Sequence, residues 1–287
     1  MLLNLAMSPM DRRSILCPHC RKLISADEPV CPHCGISRPG TWWKRRVVGR
    51  GYLDGEKIVR SIIYANVAMY VISILLNPTQ LGLSANPLTL FSPSDRALLL
   101  LGATGSIPIG RLHRWWTLVS ASYLHGGILH IFFNMMVLRQ IGRLVVQEYG
   151  VHRMAVLYTL GGVIGFWISY MVGIPLTIGA SAAVCSLIGA TLYYGKSRGG
   201  TYGQAIYRQV GGWVIALLLF GFIVPGINNW AHGGGIGAGI LIGFLVGYQE
   251  KSRENLFHRV LAAGCFLVTA VILLWAVISA FYYHLFV

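Results

Sequence analysis

Seven windows of roughly 20 predominantly apolar residues, none containing an acidic side chain, constrain this chain more than any other feature. They run approximately over 58–76, 125–147, 154–172, 178–194, 209–224, 230–248 and 261–283. Stretches of that length cross the hydrocarbon core of a bilayer as helices, because lipid offers the backbone no other partner. Composition agrees: 55% of residues are hydrophobic and 11% charged, where a soluble domain carries about 25% charged residues. These numbers exclude a soluble globular protein and a disordered chain. Six cysteines, few and unevenly placed, also exclude a disulfide scaffold. The sequence predicts an all-α polytopic membrane protein. The fifth window is short, and the Pro/Gly-rich stretch 77–114 reads as a long loop on or dipping into the membrane surface.

The formal charge of +14 suggests no nucleic-acid partner here, because its distribution follows the windows. With the N-terminus inside, nineteen of the 23 Lys and Arg residues fall on the inner side. Arg96, Arg111 and Arg114 fall outside, and Arg139 lies within the second window. Positive residues resist translocation, so the expected orientation is N-terminus cytoplasmic and C-terminus outside, in a bacterial cytoplasmic membrane by preference. Residues 1–10 precede arginines and lack a small-residue cleavage site, which argues against a cleaved signal peptide.

Ahead of the first window, Cys17-Pro18-His19-Cys20 and Cys31-Pro32-His33-Cys34 form two CxxC knuckles ten residues apart. Each knuckle presents two thiolates on one side of a tight turn, and two facing knuckles make a tetrahedral sulfur cage suited to zinc. Gly35 gives the second turn its freedom. On a reducing cytosolic side a disulfide pair is disfavoured. A closed cage leaves no coordination position open, so the metal is structural Zn²⁺ rather than catalytic. His19 or His33 in place of a cysteine, and iron in the same cage, stay open by sequence. The head reads as a short zinc ribbon over 1–40 with a protein partner of unknown identity. Residues 41–57 follow as a linker, in which Trp42, Trp43, Lys44, Arg45 and Arg46 suit the headgroup region.

Polar groups within spans are costly and therefore functional candidates. All nine acids lie outside the window cores, which excludes an intramembrane aspartyl protease and weakens a proton-coupled transporter. The second, fourth and sixth windows run in one direction under the charge-derived topology. Their beginnings carry His125, His130 and Asn134, then Ser181, then His232, at matching depth toward the outer leaflet. His130 and Asn134 share a helix face by their i, i+4 spacing. Gly235, Gly239, Gly243 and Gly247 form an i, i+4 row after His232, and Ser181, Cys185 and Gly189 form a small-residue face on the fourth window. Such stripes let helix backbones approach closely. That approach would bring a hydroxyl to an imidazole, the minimum for an activated nucleophile. Glycine-mediated packing with incidental polar residues is the competing reading.

Three motifs then resemble the rhomboid family of intramembrane serine proteases. They are Gly179-Ala180-Ser181-Ala182 (GxSx), Ala231-His232 with Gly235 and Gly239 (AHxxGxxxG), and His125 through His130 to Asn134 (HxxxxHxxxN). The resemblance covers about 58–248, a six-span rhomboid-like bundle, and 249–287 resembles the extra inner loop and C-terminal span of some members. It implies a serine endopeptidase acting on membrane-protein substrates in the bilayer. Ser181 is then the nucleophile and His232 the base and acid. His130 and Asn134, with the Ser181 N–H, serve the oxyanion, and His125 is a structural hydrogen-bonding residue. Departures from the family pattern are Thr117 where an arginine follows the tryptophan, Ala182 for glycine, and Cys185 for an aromatic packed on the histidine. A catalytically inactive rhomboid-like protein that binds client helices is the alternative.

Overall fold

In a computed structural model, which describes residues 14–18, 22–41, 50–78, 90–224 and 226–286, the apolar windows form α-helices. The chain divides into two units, 1–54 and 55–287. The helices are α1 (Arg50–Leu75), α2 (Asp95–Leu101), α3 (Thr117–Ser120), α4 (Ile128–Tyr149) and α5 (Val151–Met171). They continue with α6 (Ser181–Arg198), α7 (Gly200–Ile223), α8 (Asn229–Val246) and α9 (Leu256–Phe286). Among the described residues, six are long and apolar enough to cross a membrane: α1 from Gly55, α4, α5, α7, α8 and α9. The protein is a multi-pass membrane protein.

Three expectations are corrected. The fourth window forms α6, a helix of 18 residues that is less apolar than the six named above. Most of α6 is buried by other helices, so it need not be apolar enough for lipid. The fifth window is not short. α7 begins at Gly200 because Gly199 and Gly200, at φ +65° and +64°, reverse the chain in one step. The polar residues 200–208, expected in a loop, simply prolong the helix. The second window starts late, since Gly126-Gly127 hold His125 outside α4. Lastly, the 77–114 stretch contains α2, capped by the Ser94 hydroxyl on the Ala97 N–H at 3.2 Å, and a π-helical turn at Ile107–Arg111.

Helices α4, α6 and α8 are co-directional. Their C-terminal ends meet in a tyrosine cluster, with ring centroids 6.3 Å apart for Tyr149–Tyr194, 6.2 Å for Tyr149–Tyr248 and 5.0 Å for Tyr194–Tyr248. Their N-terminal ends meet at the polar residues described below. Between the two ends the backbones of α6 and α8 touch. A Cβ placed on Gly239 would lie 2.8 Å from Ser186 Cα, and one on Gly189 would lie 3.0 Å from Ile236 Cα. Gly243 meets Ala190 Cα at 3.3 Å in the same terms, whereas Gly247 leaves the row and packs only on Ser252. The opposite side of α8 approaches α5, where a Cβ on Gly234 would lie 3.2 Å from Gly165 Cα. α7 is bound differently. Its buried residues are Gly203, Ile206 and Val210, while Ile215, Leu219, Phe220, Phe222 and Ile223 are exposed.

The end with the tyrosine cluster also carries buried polar groups. Arg153 is completely buried and donates to the carbonyls of Tyr149, Ser252 and Arg253 and to the Ser252 hydroxyl, at 2.9–3.3 Å. Glu254 accepts from the first N–H groups of α5, His152 at 2.8 Å and Arg153 at 3.1 Å. A carboxylate there satisfies unpaired donors and the positive helix end together. Arg153, counted in sequence as a loop charge, is therefore an internal clamp.

In the N-terminal unit, β1 (Ser14–Leu16) pairs antiparallel with β2 (Leu23–Ser25), Ile15 opposite Ile24. A second, shorter hairpin closes at the Val30–Ser37 bridge.

Two valine substitutions separate packing from composition. Gly239→Val pushes α6 and α8 apart and lowers stability by about 1–3 kcal/mol. Gly237→Val, which meets nothing within 4 Å, changes little. Unfolding titrations in mixed detergent micelles measure both.

Candidate functional site

The site is built where α6 and α8 begin. Gly179, at φ +126°, turns the chain into α6 while its N–H donates to the Ala121 carbonyl at 2.9 Å. A Cβ there would lie 2.8 Å from His130 Nε2, so both conformation and space demand glycine. Ser181 follows as the first residue of α6, within the turn whose N–H groups have no carbonyl partner inside the helix. α8 starts behind an asparagine cap. Asn228 Oδ1 accepts from the Ala231 N–H at 3.1 Å, and the Asn228 carbonyl accepts from the His232 N–H at 3.2 Å. This places His232 in the first turns of α8, 6% exposed, with Nε2 at 2.8 Å from Ser181 Oγ.

With the hydroxyl donating, Nε2 is the acceptor and the imidazole proton sits on Nδ1. Among the described residues Nδ1 has no hydrogen-bond partner, and no carboxylate reaches it. The pair is a dyad. His130 Nδ1 accepts from the Gly126 N–H at 3.3 Å, which leaves its Nε2 carrying hydrogen toward Gly179 and Ser181. Asn134 spends one amide hydrogen on the His130 carbonyl at 2.8 Å and keeps the other. His125 is fully buried and packs edge-on against His130 at 5.0 Å between centroids. Neither ring nitrogen of His125 has a hydrogen-bond partner among the described residues.

The structure therefore gathers Ser181, His232 and His130 from three helix beginnings, with Asn134 one turn deeper on the face of His130. A hydroxyl poised on a base, beside free N–H donors, suits attack on a carbonyl and stabilisation of the oxyanion that forms. Cys185 is buried, and a Cβ on Gly235 would lie 3.1 Å from its Cβ, so the small side chain admits close approach of α8.

A belt of hydroxyls and one amide, not singled out by sequence, holds these beginnings in place. Thr104 and Thr177 exchange backbone hydrogen bonds of 3.0 and 2.7 Å. Thr177 Oγ1 accepts from Asn228 Nδ2 at 3.1 Å, and Ser169 Oγ lies 2.5 Å from the same nitrogen. Thr117 is buried, donates to the Arg114 carbonyl at 2.7 Å and sits 3.0 Å from the Thr104 hydroxyl. Asn228 carries a legible signal, an N-cap residue at the head of an apolar run. The threonines carry none, because they are far apart in sequence.

In the N-terminal unit the two knuckles repeat one geometry. The Cys17 N–H donates to the Lys22 carbonyl and the Cys31 N–H to the Ile36 carbonyl, both at 2.9 Å. The sulfurs of Cys17, Cys31 and Cys34 lie within 4.8 Å of one another, and Cys17 and Cys34 are 3.7 Å apart. A tetrahedral site with metal–sulfur bonds of about 2.3 Å separates its sulfurs by about 3.8 Å, so the three thiols fit a shared metal ion. Cys20 and His19 lie outside the described residues, as do Trp42, Trp43, Lys44, Arg45 and Arg46. Burial raises the Cys31 thiol, but hydrogen bonds from the His33 and Cys34 N–H groups outweigh it and draw the thiol down to about 7. Thiolate, the metal-binding form, is thus present above that pH and lost below it.

Residues 112–249 match the family model for the Rhomboid domain. The chain is 30% identical over 208 residues to RHOMBOID-like protein 1 of Arabidopsis thaliana, covering 66% of this chain and 52% of that protein. It is 29% identical over 194 residues to Rhomboid protease GluP of Bacillus subtilis (strain 168), covering 68% and 36%. Rhomboid-like protease 3 of Toxoplasma gondii is 28% identical over 228 residues, covering 77% and 81%. The chain spans about half the length of the first of these curated relatives. Plant proteins recur among the matches, so the bacterial residence expected from sequence draws no support from them.

Asn228→Ala removes the α8 cap and two cross-links at once. It lowers stability by about 1–2 kcal/mol in a mixed-micelle unfolding titration, and Asn228→Asp, which keeps the cap acceptor, recovers part of the loss.

Proposed function

From the premise that the chain carries a rhomboid domain and so belongs to the rhomboid family, we propose that it is an intramembrane serine endopeptidase cleaving transmembrane substrates by a Ser181–His232 dyad. The observation that carries this reading is the 2.8 Å contact between Ser181 Oγ and His232 Nε2. As Ser181 Oγ attacks the scissile carbonyl, its proton passes to His232 Nε2 and an acyl–oxygen bond forms. The carbonyl oxygen takes the negative charge, met by the Ser181 N–H, His130 Nε2–H and the free hydrogen of Asn134. His232 then returns the proton to the leaving amine. In the second half His232 accepts a proton from water as its oxygen bonds to the acyl carbon, then returns that proton to Ser181 Oγ as the acyl–oxygen bond breaks and the acid is released. Among the described residues no carboxylate stands behind the imidazole, so stabilisation of the oxyanion supplies much of the catalysis.

The exposed half of α7, from Ile215 to Ile223, lies toward the end of the bundle where α8 begins. A substrate helix reaching Ser181 laterally passes on that side. The nineteen-to-three split of basic residues supports an N-terminus inside, which puts the dyad toward the outer leaflet. In the N-terminal unit, Cys17, Cys31 and Cys34 hold a structural zinc ion, with Cys20 as fourth ligand. Zinc there supplies folding energy to a unit whose buried core, among the described residues, is Cys17, Ile24 and Cys31.

A fluorophosphonate probe labels the wild-type protein in membranes, and Ser181→Ala and His232→Ala abolish labelling. An unlabelled wild type overturns the reading in favour of client binding. His130→Ala retains the dyad and loses on the order of 100- to 1000-fold in turnover of a transmembrane substrate. Elemental analysis of the purified chain finds one zinc per molecule, and Cys31→Ser lowers that content.

A further inference from the structure

The end of α6 far from Ser181 opens onto a second feature that the proposed chemistry does not use. Lys196 lies fifteen residues beyond Ser181, about 22 Å along the helix. There a cavity of about 490 Å³ lies between α6, α7 and α8, lined by Leu192, Tyr193, Lys196, Ser197, Tyr207 and Ile240. At the turn joining them, α6 and α7 are pressed backbone to backbone. A Cβ on Gly203 would lie 2.6 Å from the Gly195 carbonyl oxygen, and one on Gly195 2.9 Å from that of Gly203. The cavity lies just beyond this pinch.

Its rim is cationic. Lys196 is exposed, and the Lys251 ammonium donates to Ser197 Oγ at 2.9 Å while lying 5.1 Å from the Tyr248 ring centroid and 5.8 Å from that of Tyr193. Among the described residues no carboxylate pairs with either lysine. The nearby acid, Glu250, is engaged by the Arg198 guanidinium through two hydrogen bonds of 2.9 and 3.2 Å. Its walls are apolar: Leu192, Ile240 and the ring of Tyr207. A ligand matching both parts has an anionic head and a hydrocarbon tail. The surrounding phase supplies such molecules, and basic pockets between transmembrane helices capture anionic lipid headgroups.

We propose that this cavity binds an anionic phospholipid, its phosphodiester on Lys196 and Lys251 and an acyl chain along Ile240 and Tyr207. The inference does not depend on the protease reading, and its readout is lipid binding alone. Native mass spectrometry of the delipidated full-length chain, titrated with phosphatidylglycerol or phosphatidylcholine, tests it. Phosphatidylglycerol saturates one site at lower concentration. Lys196→Gln combined with Lys251→Gln weakens it roughly 30-fold and leaves phosphatidylcholine unchanged. The charge-matched pair Arg253→Gln and Arg259→Gln, outside the cavity lining, keeps wild-type binding. Equal binding of the two lipids, or equal loss in the charge-matched pair, overturns the proposal. So does displacement by inorganic phosphate or by an acidic peptide in place of lipid. Should the lysine variant misfold, photoactivatable phosphatidylglycerol on the wild type decides. Cross-links in peptides holding Tyr207 or Ile240 support the site, and cross-links confined to other helices refute it.

Discussion

Everything at the candidate site depends on how closely two helix backbones approach in a medium that does not push them together. Between helices in lipid there is no hydrophobic driving force of the kind that assembles soluble cores, because the tails are as apolar as leucine. Contact must come from dispersion and weak polar terms, both of which fall steeply with distance. Gly189, Gly239 and Gly243 remove the side chains that would hold α6 and α8 apart. The 2.8 Å contact between Ser181 and His232 follows from that approach.

Close approach alone would leave the helix beginnings free to slide. The belt through Thr117, Thr104, Thr177, Asn228 and Ser169 fixes them at one depth, joining the connection between α2 and α3 to the entrances of α6 and α8. In a low-dielectric setting an unmade hydrogen bond is costly, so a satisfied belt resists displacement. Thr117 is buried and occupied in the belt, while Arg114 nearby donates to the Leu99 carbonyl at 3.4 Å.

Much of the design was legible in the residues because membrane rules are severe. Apolar windows marked the helices, and the i, i+4 glycine row marked the face of α8 that meets α6. Comparable depth of His130, Ser181 and His232 followed from counting lysines and arginines. What escaped has physical reasons. α6 is buried by protein, so its composition obeys interior rules rather than lipid rules. The Gly199–Gly200 reversal hid behind charged neighbours that read as a loop. Arg153 looked like a loop cation, because nothing local announces that the Ser252 and Arg253 carbonyls will converge on it from about a hundred residues away. The belt threonines become partners only after folding.

Glu254 has a consequence for biosynthesis. It caps the first turn of α5 from about a hundred residues downstream. α5 is inserted early, but its leading amides wait for a carboxylate that emerges only after α8 has been made. Until then the bundle holds its interior helix with one end unfinished, and the final segment acts as a latch that completes an element made long before it.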